Sequence, residues 1–498
     1  MNLKEILDGV GRVSTHGPLD KEITALTVDS REVKDGTLFA AIRGGKADGH
    51  DYIDTAREMG ASAIMAERDV PELYRDTWLR VHDSRKGIAE AADTYFGRPS
   101  DGMLVCGITG TNGKTTTAFL LHHLLTESKG RCGLLGTVKY DTGLGPQAST
   151  HTTPDWIAVQ RLLSEMRANG CPGVAMEVSS HALQQSRVHG VRFDAGVFSN
   201  LTQDHLDYHG TMEDYFMAKA GLFEQMVHQG GPKKPSAIIN SEDIYGRRLV
   251  QMFEGKLNIV KYGMGMTADF RATDMRTRVT GTQFTLEARG RTFLVRLPLI
   301  GRFNVYNALA AIASAWALGL NLREAIANLA RAPQVPGRMQ SVAENKPFRV
   351  FVDYAHTPDA LENALKTLKD LDPRRIITVF GCGGDRDRTK RPKMGAVTER
   401  FSHYSIVTSD NPRSEDPEGI IAEIRAGMTG ERVESIVDRK EAITKAIGLA
   451  GGGDVVLIAG KGHEQGQIFA NEIRQFDDVR TAQNVLREWT LPDRENRK

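Results

Sequence analysis

The chemistry of this chain concentrates first in Gly110-Thr111-Asn112-Gly113-Lys114-Thr115-Thr116. The apolar run Leu104–Ile108 precedes this segment and a helical pattern, Thr116–Glu127, follows it. Backbone N–H groups and a helix N-terminus would then surround a polyphosphate. Lys114 is placed to reach the terminal phosphates and Thr115 to ligate magnesium. The spacing departs from GxxxxGK[ST], because the first glycine position is Ile108 and glycines stand instead at Gly107 and Gly110. Magnesium takes oxygen ligands, and Glu177, at the end of the run Val174–Val178, is a candidate. His205, in the segment Thr202–Asp207 that follows another apolar run, is a second candidate contact. By residue type alone each is more often an ordinary satisfied polar residue at a strand end.

Three later loops pair opposite charges: Asp385-Arg386-Asp387, Asp410-Asn411-Pro412-Arg413 and Gly460-Lys461-Gly462-His463-Glu464. Guanidinium forks bind carboxylates in a bidentate manner while Glu464 or Asp410 can face an ammonium, so these loops would suit a zwitterion. They would equally make a surface ion-pair cluster, contributing about 0–1 kcal/mol per exposed pair. Residue types alone do not choose between the two.

These loops need a scaffold that gathers them at one edge. Short apolar runs at Leu104–Ile108, Val174–Val178, Ala195–Phe198, Ala237–Ile239, Ile376–Phe380, Ser405–Val407 and Val455–Ile458 read as buried strands. Helical stretches such as Thr116–Glu127 and Ile157–Ala168 separate several of them, the alternation of a mostly parallel α/β sheet. Ligands bind beyond the carboxyl ends of such strands, and the chemically loaded segments all follow strands. The 498 residues suggest about three domains. Pro- and Gly-bearing joints at Gly97–Gly102 and Arg331–Gly337 divide the chain into 1–98, 99–332 and 333–498.

Composition narrows the partners. Lys plus Arg (64) balances Asp plus Glu (63), so the net charge of +1 supplies no field for nucleic acid or an anionic membrane. The four cysteines form no CxxC pair, which argues against zinc, a redox dithiol and disulfides and fits a reducing cytoplasm. Leu3, Ile6, Leu7 and Val10 recur at helical spacing with Glu5 and Asp8 between them, a surface helix rather than a signal peptide. The most apolar stretch, Asn307–Leu320, falls short of the ~18 residues a membrane span needs. A soluble, cytoplasmic monomer is expected.

Read together, the segments resemble the Mur ligase family of peptidoglycan precursor synthesis. "GITGTNGKTT" (Gly107–Thr116) is similar to that family's variant phosphate loop, and "TVDSREVKDGTLFAAIRG" (Thr27–Gly44), "MEVSSHAL" (Met176–Leu183), "DYAHTPDAL" (Asp353–Leu361) and "GCGGDRDRTKRPKMG" (Gly381–Gly395) extend the likeness over nearly the whole chain. The resemblance implies an N-terminal UDP-binding α/β domain, a central P-loop mononucleotide-binding domain and a C-terminal Rossmann-like domain that binds an amino acid. It implies that Ser30, Lys46 and Ala47 hold the uridine nucleotide, and that Thr152, Thr153, Ser179, Gln185 and Arg187 hold a muramoyl dipeptide. Asn304 would sit at the adenine and Arg338 near the phosphates of ATP, although residue type alone makes Asn304 a helix cap. Asp353 and His356 would face ATP in roles left unassigned. Lys219 would be carbamylated to an anionic oxygen ligand and, with Glu177 and His205, hold a second magnesium.

For the amino acid, "DNPR" resembles the family's diaminopimelate-adding subtype, with Arg386, Asp410, Asn411, Pro412, Arg413, Gly460 and Glu464 as its contacts and Arg413 reading the carboxylate that lysine lacks. Relatives often carry an aromatic residue where Gly466 stands. The implied reaction is ATP-dependent addition of meso-diaminopimelate to the D-glutamyl γ-carboxylate of UDP-N-acetylmuramoyl-L-alanyl-D-glutamate through an acyl phosphate, with domain closure excluding water. The alternatives are the same ligase using L-lysine and, from another class, a P-loop ATPase or kinase.

Overall fold

The computed structural model describes residues 1–45, 47–72, 76–231, 233–343 and 346–489. Two compact units divide the chain: residues 1–201, 209–269 and 310–325 form one, and residues 202–208, 270–309 and 326–498 the other. The sheets are mixed α/β and mostly parallel, as the alternation of runs and helices predicts.

In the first unit a five-stranded sheet runs in the order Ser14–His16, Thr77–Arg80, Ala61–Ala66, Thr37–Ala40, Ala25–Thr27. All its pairs are parallel except that of the outer strand Ser14–His16. The helix Leu3–Leu7 closes one face, with Leu3 and Ile6 fully buried beside Leu38, Ala63 and Leu79. Its first turn is fixed by a capping box between Asn2 and Glu5.

The same unit holds strands β1 (Leu104–Thr109), β2 (Gly133–Leu135), β3 (Lys139–Asp141), β4 (Pro146–Ala148), β5 (Gly173–Glu177), β6 (Ala195–Phe198), β7 (Ser236–Asn240) and β8 (Asn258–Gly263). Their order is β8-β7-β6-β1-β5-β2-β3-β4. The pairs from β8 to β2 are parallel, and β3 and β4 add an antiparallel edge. After β1 the chain runs through helix α1 (Lys114–Lys129) to β2 on one side, returns to β5, and then crosses to β6 on the other. The strand order therefore reverses at β1, the place where such sheets open a crevice beyond their carboxyl ends. Helix α2 (Met212–His228) packs Phe216, Leu222 and Phe223 into the core that β1, β5 and β6 share.

The element boundaries shift by one or two residues from those the apolar runs suggest. Val178 lies past β5. Asp155 caps the helix Trp156–Ala168, its carboxylate accepting from the N–H groups of Ile157 and Ala158.

In the second unit β9 (Phe270–Arg278), β10 (Gly281–Ala288) and β11 (Arg291–Leu297) form an antiparallel meander. Its other sheet comprises β12 (Gln340–Ser341), β13 (Arg349–Asp353), β14 (Ile376–Phe380), β15 (Tyr404–Val407), β16 (Val433–Ser435) and β17 (Val455–Ala459) in the order β12-β13-β17-β14-β15-β16. It is parallel except at β12. Along β17, Val455, Leu457 and Ala459 enter one core while Val456 and Ile458 enter another. Helices covering both faces explain why this strand reads as an unbroken apolar run. Among the described residues no helix is long and apolar enough to cross a membrane.

One ion pair stitches the second unit internally. Arg439 and Asp478, both with fully buried side chains, meet at 2.7 Å, and the same guanidinium donates to the carbonyls of Ser409 and Ala459. Removing one partner of such a pair costs about 3–5 kcal/mol. Urea unfolding of Arg439→Ala should show a loss of that size; a loss below about 1 kcal/mol would contradict it.

Candidate active site

The loop after β1 is shaped from the next strand. Gly110 has φ 143°, and a Cβ there would lie 1.9 Å from the Ser199 hydroxyl, so the position admits only glycine. Thr111 N–H donates to the Asn200 carbonyl at 2.8 Å and Asn112 N–H to Asn200 Oδ1 at 3.0 Å. Ser199 Oγ and Asn200 Nδ2 donate back to the Asn112 carbonyl at 2.6 and 3.1 Å. Gly113, at φ 87°, turns the chain into α1, whose first residues are Lys114, Thr115 and Thr116. Lys114 Nζ donates to the carbonyls of Gly110 and Thr111, each at 2.9 Å. Lys219, 1% exposed on α2, sends its Nζ to the same Gly110 carbonyl at 2.9 Å and lies 4.3 Å above the Tyr215 ring.

Glu177, at the carboxyl end of β5, is fully buried. Its carboxylate accepts from Thr115 Oγ1 at 3.0 Å, from Thr137 N–H at 2.9 Å and from Thr137 Oγ1 at 3.1 Å. Gly136 leaves room for it, since a Cβ there would fall 2.3 Å from Glu177 Oε1. Thr137 is the residue that sequence reasoning missed, because it lies in no motif and reaches the site only through the turn between β2 and β3. Its hydroxyl also meets Thr152 Oγ1 at 3.0 Å.

The dipeptide candidates are mutually bonded. Thr153 Oγ1 donates to the Glu177 carbonyl at 2.9 Å and accepts from Ser179 N–H at 3.0 Å. Ser179 caps the short helix Ser180–Gln184. Arg187 donates through Nε and Nη2 to Gln185 Oε1 at 3.0 and 2.7 Å, and through Nη1 to the Thr153 carbonyl at 3.1 Å. Ser30 is buried at the start of a one-turn helix in the N-terminal sheet, and the Ala47 carbonyl closes a turn with Gly44 N–H at 2.9 Å. Lys46 lies outside the described residues.

Thr115 and Glu177 supply hard oxygen donors of the kind magnesium takes. Among the described residues no cluster of three or more His, Cys, Asp and Glu side chains is arranged to hold a metal ion. His205 belongs to the second unit, at φ 54° with its ring 3.4 Å from Asp204.

Asn304 and Arg338 also belong to the second unit. Asn304 is fully buried inside the first turn of the helix Arg302–Ala317, where its Nδ2 donates to the Ile300 carbonyl at 2.8 Å. It is thus a helix-interior residue and not a cap. The Arg338 guanidinium stacks 4.6 Å from the Tyr354 ring, and the His463 ring lies 5.2 Å from the same ring. Burial, together with the neighbouring Glu464, pushes the Tyr354 hydroxyl up to about 12. Asp353 accepts from the N–H groups of Met339 and Ala355 at 2.6 and 2.9 Å, and burial raises its pKa. Burial, with Lys390 nearby, lowers that of His356.

The three charged loops of the second unit come together. Lys461, fully buried and not singled out from the sequence, donates to Asn411 Oδ1 and Glu464 Oε2, each at 2.9 Å, and lies 4.0 Å from Asp410. Asn411 Nδ2 adds a bond to Glu464 at 2.8 Å. Gly460 takes φ 113°, and a Cβ there would sit 2.5 Å from Asp410 Oδ2. Arg413 follows Pro412 in left-handed backbone, φ 53°, with Nη1 donating to the Gly384 carbonyl at 2.7 Å. Burial, and the like charge of Arg386, lower its pKa. Arg386 itself is exposed and donates to the Asp385 carbonyl at 3.0 Å. A cavity of about 580 Å³ opens beside Arg413, lined by Ser414, Glu415 and the Phe469–Glu472 turn.

The comparisons with known proteins cover the same ground. Residues 22–96 match the Mur ligase family catalytic domain, residues 108–315 the Mur ligase middle domain, and residues 337–462 the Mur ligase glutamate ligase domain. The UDP-N-acetylmuramoyl-L-alanyl-D-glutamate–2,6-diaminopimelate ligase of Geobacter sulfurreducens is 43% identical over 496 residues, covering 96% of this chain and 97% of that protein. The ligase of the same name from Geobacillus kaustophilus is 44% identical, over 98% of this chain and 100% of that protein. A solved structure of a ligase of that name superposes with a TM-score of 0.71 at 33% identity, over 98% of this chain and 99% of its own.

One carboxylate in the charged loops of the second unit makes the fold acid-sensitive. Arg391, fully buried, holds Glu415 through two bonds of 2.8 Å, and Asp385 N–H donates to it at 2.6 Å. The hydrogen bonds from Arg391 draw the Glu415 carboxyl down to about 2. A folded-state value below the unfolded one means that this stabilisation is complete above the ordinary glutamate value of 4.5 and is lost as pH falls toward about 2. The difference in unfolding free energy between the native chain and Glu415→Gln should therefore shrink as pH is lowered from about 5 to about 3. A difference that stays constant over that range would refute the assignment.

Proposed function

The chain belongs to the Mur ligase family, and from that premise we propose that it joins meso-diaminopimelate to the D-glutamyl residue of UDP-N-acetylmuramoyl-L-alanyl-D-glutamate, with ATP driving the bond. The observation that carries this reading is the full-length identity of 43–44% to ligases of that name, in a chain that keeps both the phosphate loop and the Asp410–Arg413 segment.

A γ-carboxylate oxygen of the D-glutamyl residue attacks the γ-phosphorus of ATP. The bond from that phosphorus to the β,γ-bridging oxygen breaks, leaving an acyl phosphate and ADP. The diaminopimelate amine, having lost its ammonium proton, attacks the acyl carbon, and the C–O bond to phosphate breaks. The first step passes through a highly charged phosphoryl group, so catalysis rests on positioning and electrostatics, and no covalent enzyme intermediate is required.

Each residue group has one task. The Gly113 N–H and the N-terminus of α1 face the ATP phosphates, while the Thr111 and Asn112 N–H groups hold the loop to Asn200, and Lys114 leaves its carbonyl partners to meet the terminal phosphate. Thr115 and Glu177 hold magnesium, which when bound neutralises phosphate charge. Thr152, Thr153, Ser179, Gln185 and Arg187 orient the dipeptide, while Ser30, Lys46 and Ala47 take the uridine nucleotide. The roles of Asn304, Arg338 and His205 toward ATP and metal are supported by resemblance alone.

Lys219 is N-carboxylated in this reading. Its nitrogen and that of Lys114 share the Gly110 carbonyl as acceptor, and two ammonium groups so close repel each other. The neutral amine is the form that takes up carbon dioxide. Arg413 reads the distal carboxylate of diaminopimelate, with Arg386, Asp410, Asn411, Pro412, Gly460 and Glu464 completing that site.

ADP release with the UDP-muramoyl dipeptide should be fast with diaminopimelate and slow with lysine or with no amine. Equal rates with lysine would overturn the choice of amino acid, and release without any amine would favour a plain ATPase. Lys114→Ala should abolish turnover in the same assay. Arg413→Ala should lower the kcat/KM preference for diaminopimelate over lysine about ten- to 150-fold, the loss of one hydrogen bond to a charged group.

A further inference from the structure

The left-handed backbone of Arg413 is strained for a residue with a Cβ and persists only where its surroundings fix it. What fixes it is a two-stranded hairpin, Gly466–Ile468 paired with Ile473–Gln475, that follows the Glu464 loop. Ile468 bonds the segment through its backbone on both sides: its carbonyl accepts from Arg413 N–H at 2.9 Å, and its N–H donates to Asn411 Oδ1 at 3.0 Å. Between them in space, Gln467 Nε2 donates to the Asp410 carbonyl at 2.9 Å. Strand alternation explains the choice of side chain. Gly466 and Ile468 share one face of the hairpin, and Ile468 is 37% exposed, whereas Gln467 turns inward and is 7% exposed.

We propose that Gln467 is a positioning residue for amino-acid selection, holding the Asp410 carbonyl so that the Asp410 carboxylate and the Arg413 guanidinium meet the two ends of the incoming amino acid. It rests on the reading of this site as the one for diaminopimelate. The Asn411 and Arg413 contacts come from the hairpin backbone and survive any substitution of its side chains. Gln467 supplies the one side-chain bond, and its loss frees the Asp410 peptide without removing a charge.

The geometry also gives Gly466 a place. A Cβ there would meet only Ile473 Cγ2, at 2.9 Å, with Arg474 O next at 3.5 Å. That neighbour is the flexible tip of a 73% exposed side chain, so the hairpin tolerates glycine or a larger residue at 466 while the inward Gln467 contact stays fixed.

The test is steady-state kinetics on the full chain with Gln467→Ala and with Gln467→Met, which keeps the volume and removes the donor; Ile473→Ser on the outer face is the control. Both Gln467 variants should raise KM for diaminopimelate about tenfold and lower the diaminopimelate-to-lysine ratio of kcat/KM by a similar factor, with KM for ATP and for the dipeptide unchanged. Ile473→Ser should match the native chain. An unchanged KM and ratio in a folded Gln467 variant overturns the proposal, as does an equal rise in all three KM values. If the native chain shows no preference for diaminopimelate, the reading of the site fails instead, and the KM for whichever amine it uses still decides the role of Gln467.

Discussion

A buried carboxylate with no route to water must be satisfied by the protein, and Glu177 makes that demand at the centre of the first unit. Left unpaired it would cost several kcal/mol, so the donors that satisfy it are held in place as firmly as the strand it ends. Its three donors come from two separate segments: Thr115 at the start of α1, and Thr137 from the turn after β2 by both its N–H and its hydroxyl. The Glu177 carbonyl anchors Thr153, and Thr137 reaches Thr152. Glu177 thus ties the phosphate loop, by its side chain, to the Thr152-Thr153 segment, by its carbonyl and through Thr137, the spacing across which a phosphoryl group would pass in the proposed reaction. Gly136 is part of the same constraint, because any Cβ there would displace the carboxylate.

The second unit solves its own problem with buried cations. Arg391, Arg439 and Lys461 are all without exposed side chain, and each is held by oxygen acceptors that include at least one from a distant segment of the chain. Arg391 ties Glu415 and Glu423 to the Gly383 carbonyl, fixing the loop that carries Asp385 and Arg386. Lys461 ties Asn411 to Glu464. Buried pairs of this kind add little net stability over an apolar core. What they supply is register between loops, which the proposed site for an amino acid with two carboxylates and two amino groups would require.

Much of this was legible in the sequence, and the boundary of legibility is physical. The phosphate loop is a local motif, and the glycines at 110 and 113 reveal the backbone it needs. The strands read correctly because a parallel sheet covered on both faces leaves continuous apolar runs, as in Val455–Ala459. Thr137, Arg391, Lys461 and Gln467 escaped because their roles depend on contacts between distant segments. Arg391 lies inside a motif whose visible signal was the exposed Arg386, and a buried arginine carries no mark in sequence that separates it from a solvated one. Asn304 shows the converse. Its type suggested a cap, yet from inside the first turn its side chain bonds the carbonyl of Ile300, just before the helix, a use that type alone does not distinguish.

The two lysines at Gly110 show how far a motif underdetermines its chemistry. The phosphate-loop pattern names Lys114 and says nothing of Lys219, which arrives from α2 more than a hundred residues later. Both nitrogens donate to one carbonyl, which brings two basic side chains together at a single acceptor. When nucleotide binds, the flexible Lys114 has a better partner in the phosphate oxygens and the Gly110 carbonyl loses one of its donors. Lys219, buried and stacked on Tyr215, has no such exit. Converting its amine to a carbamate replaces a cation that would compete with magnesium by an oxygen anion that would bind it. The proposed modification would thus answer a charge problem that the fold itself sets at the phosphate loop.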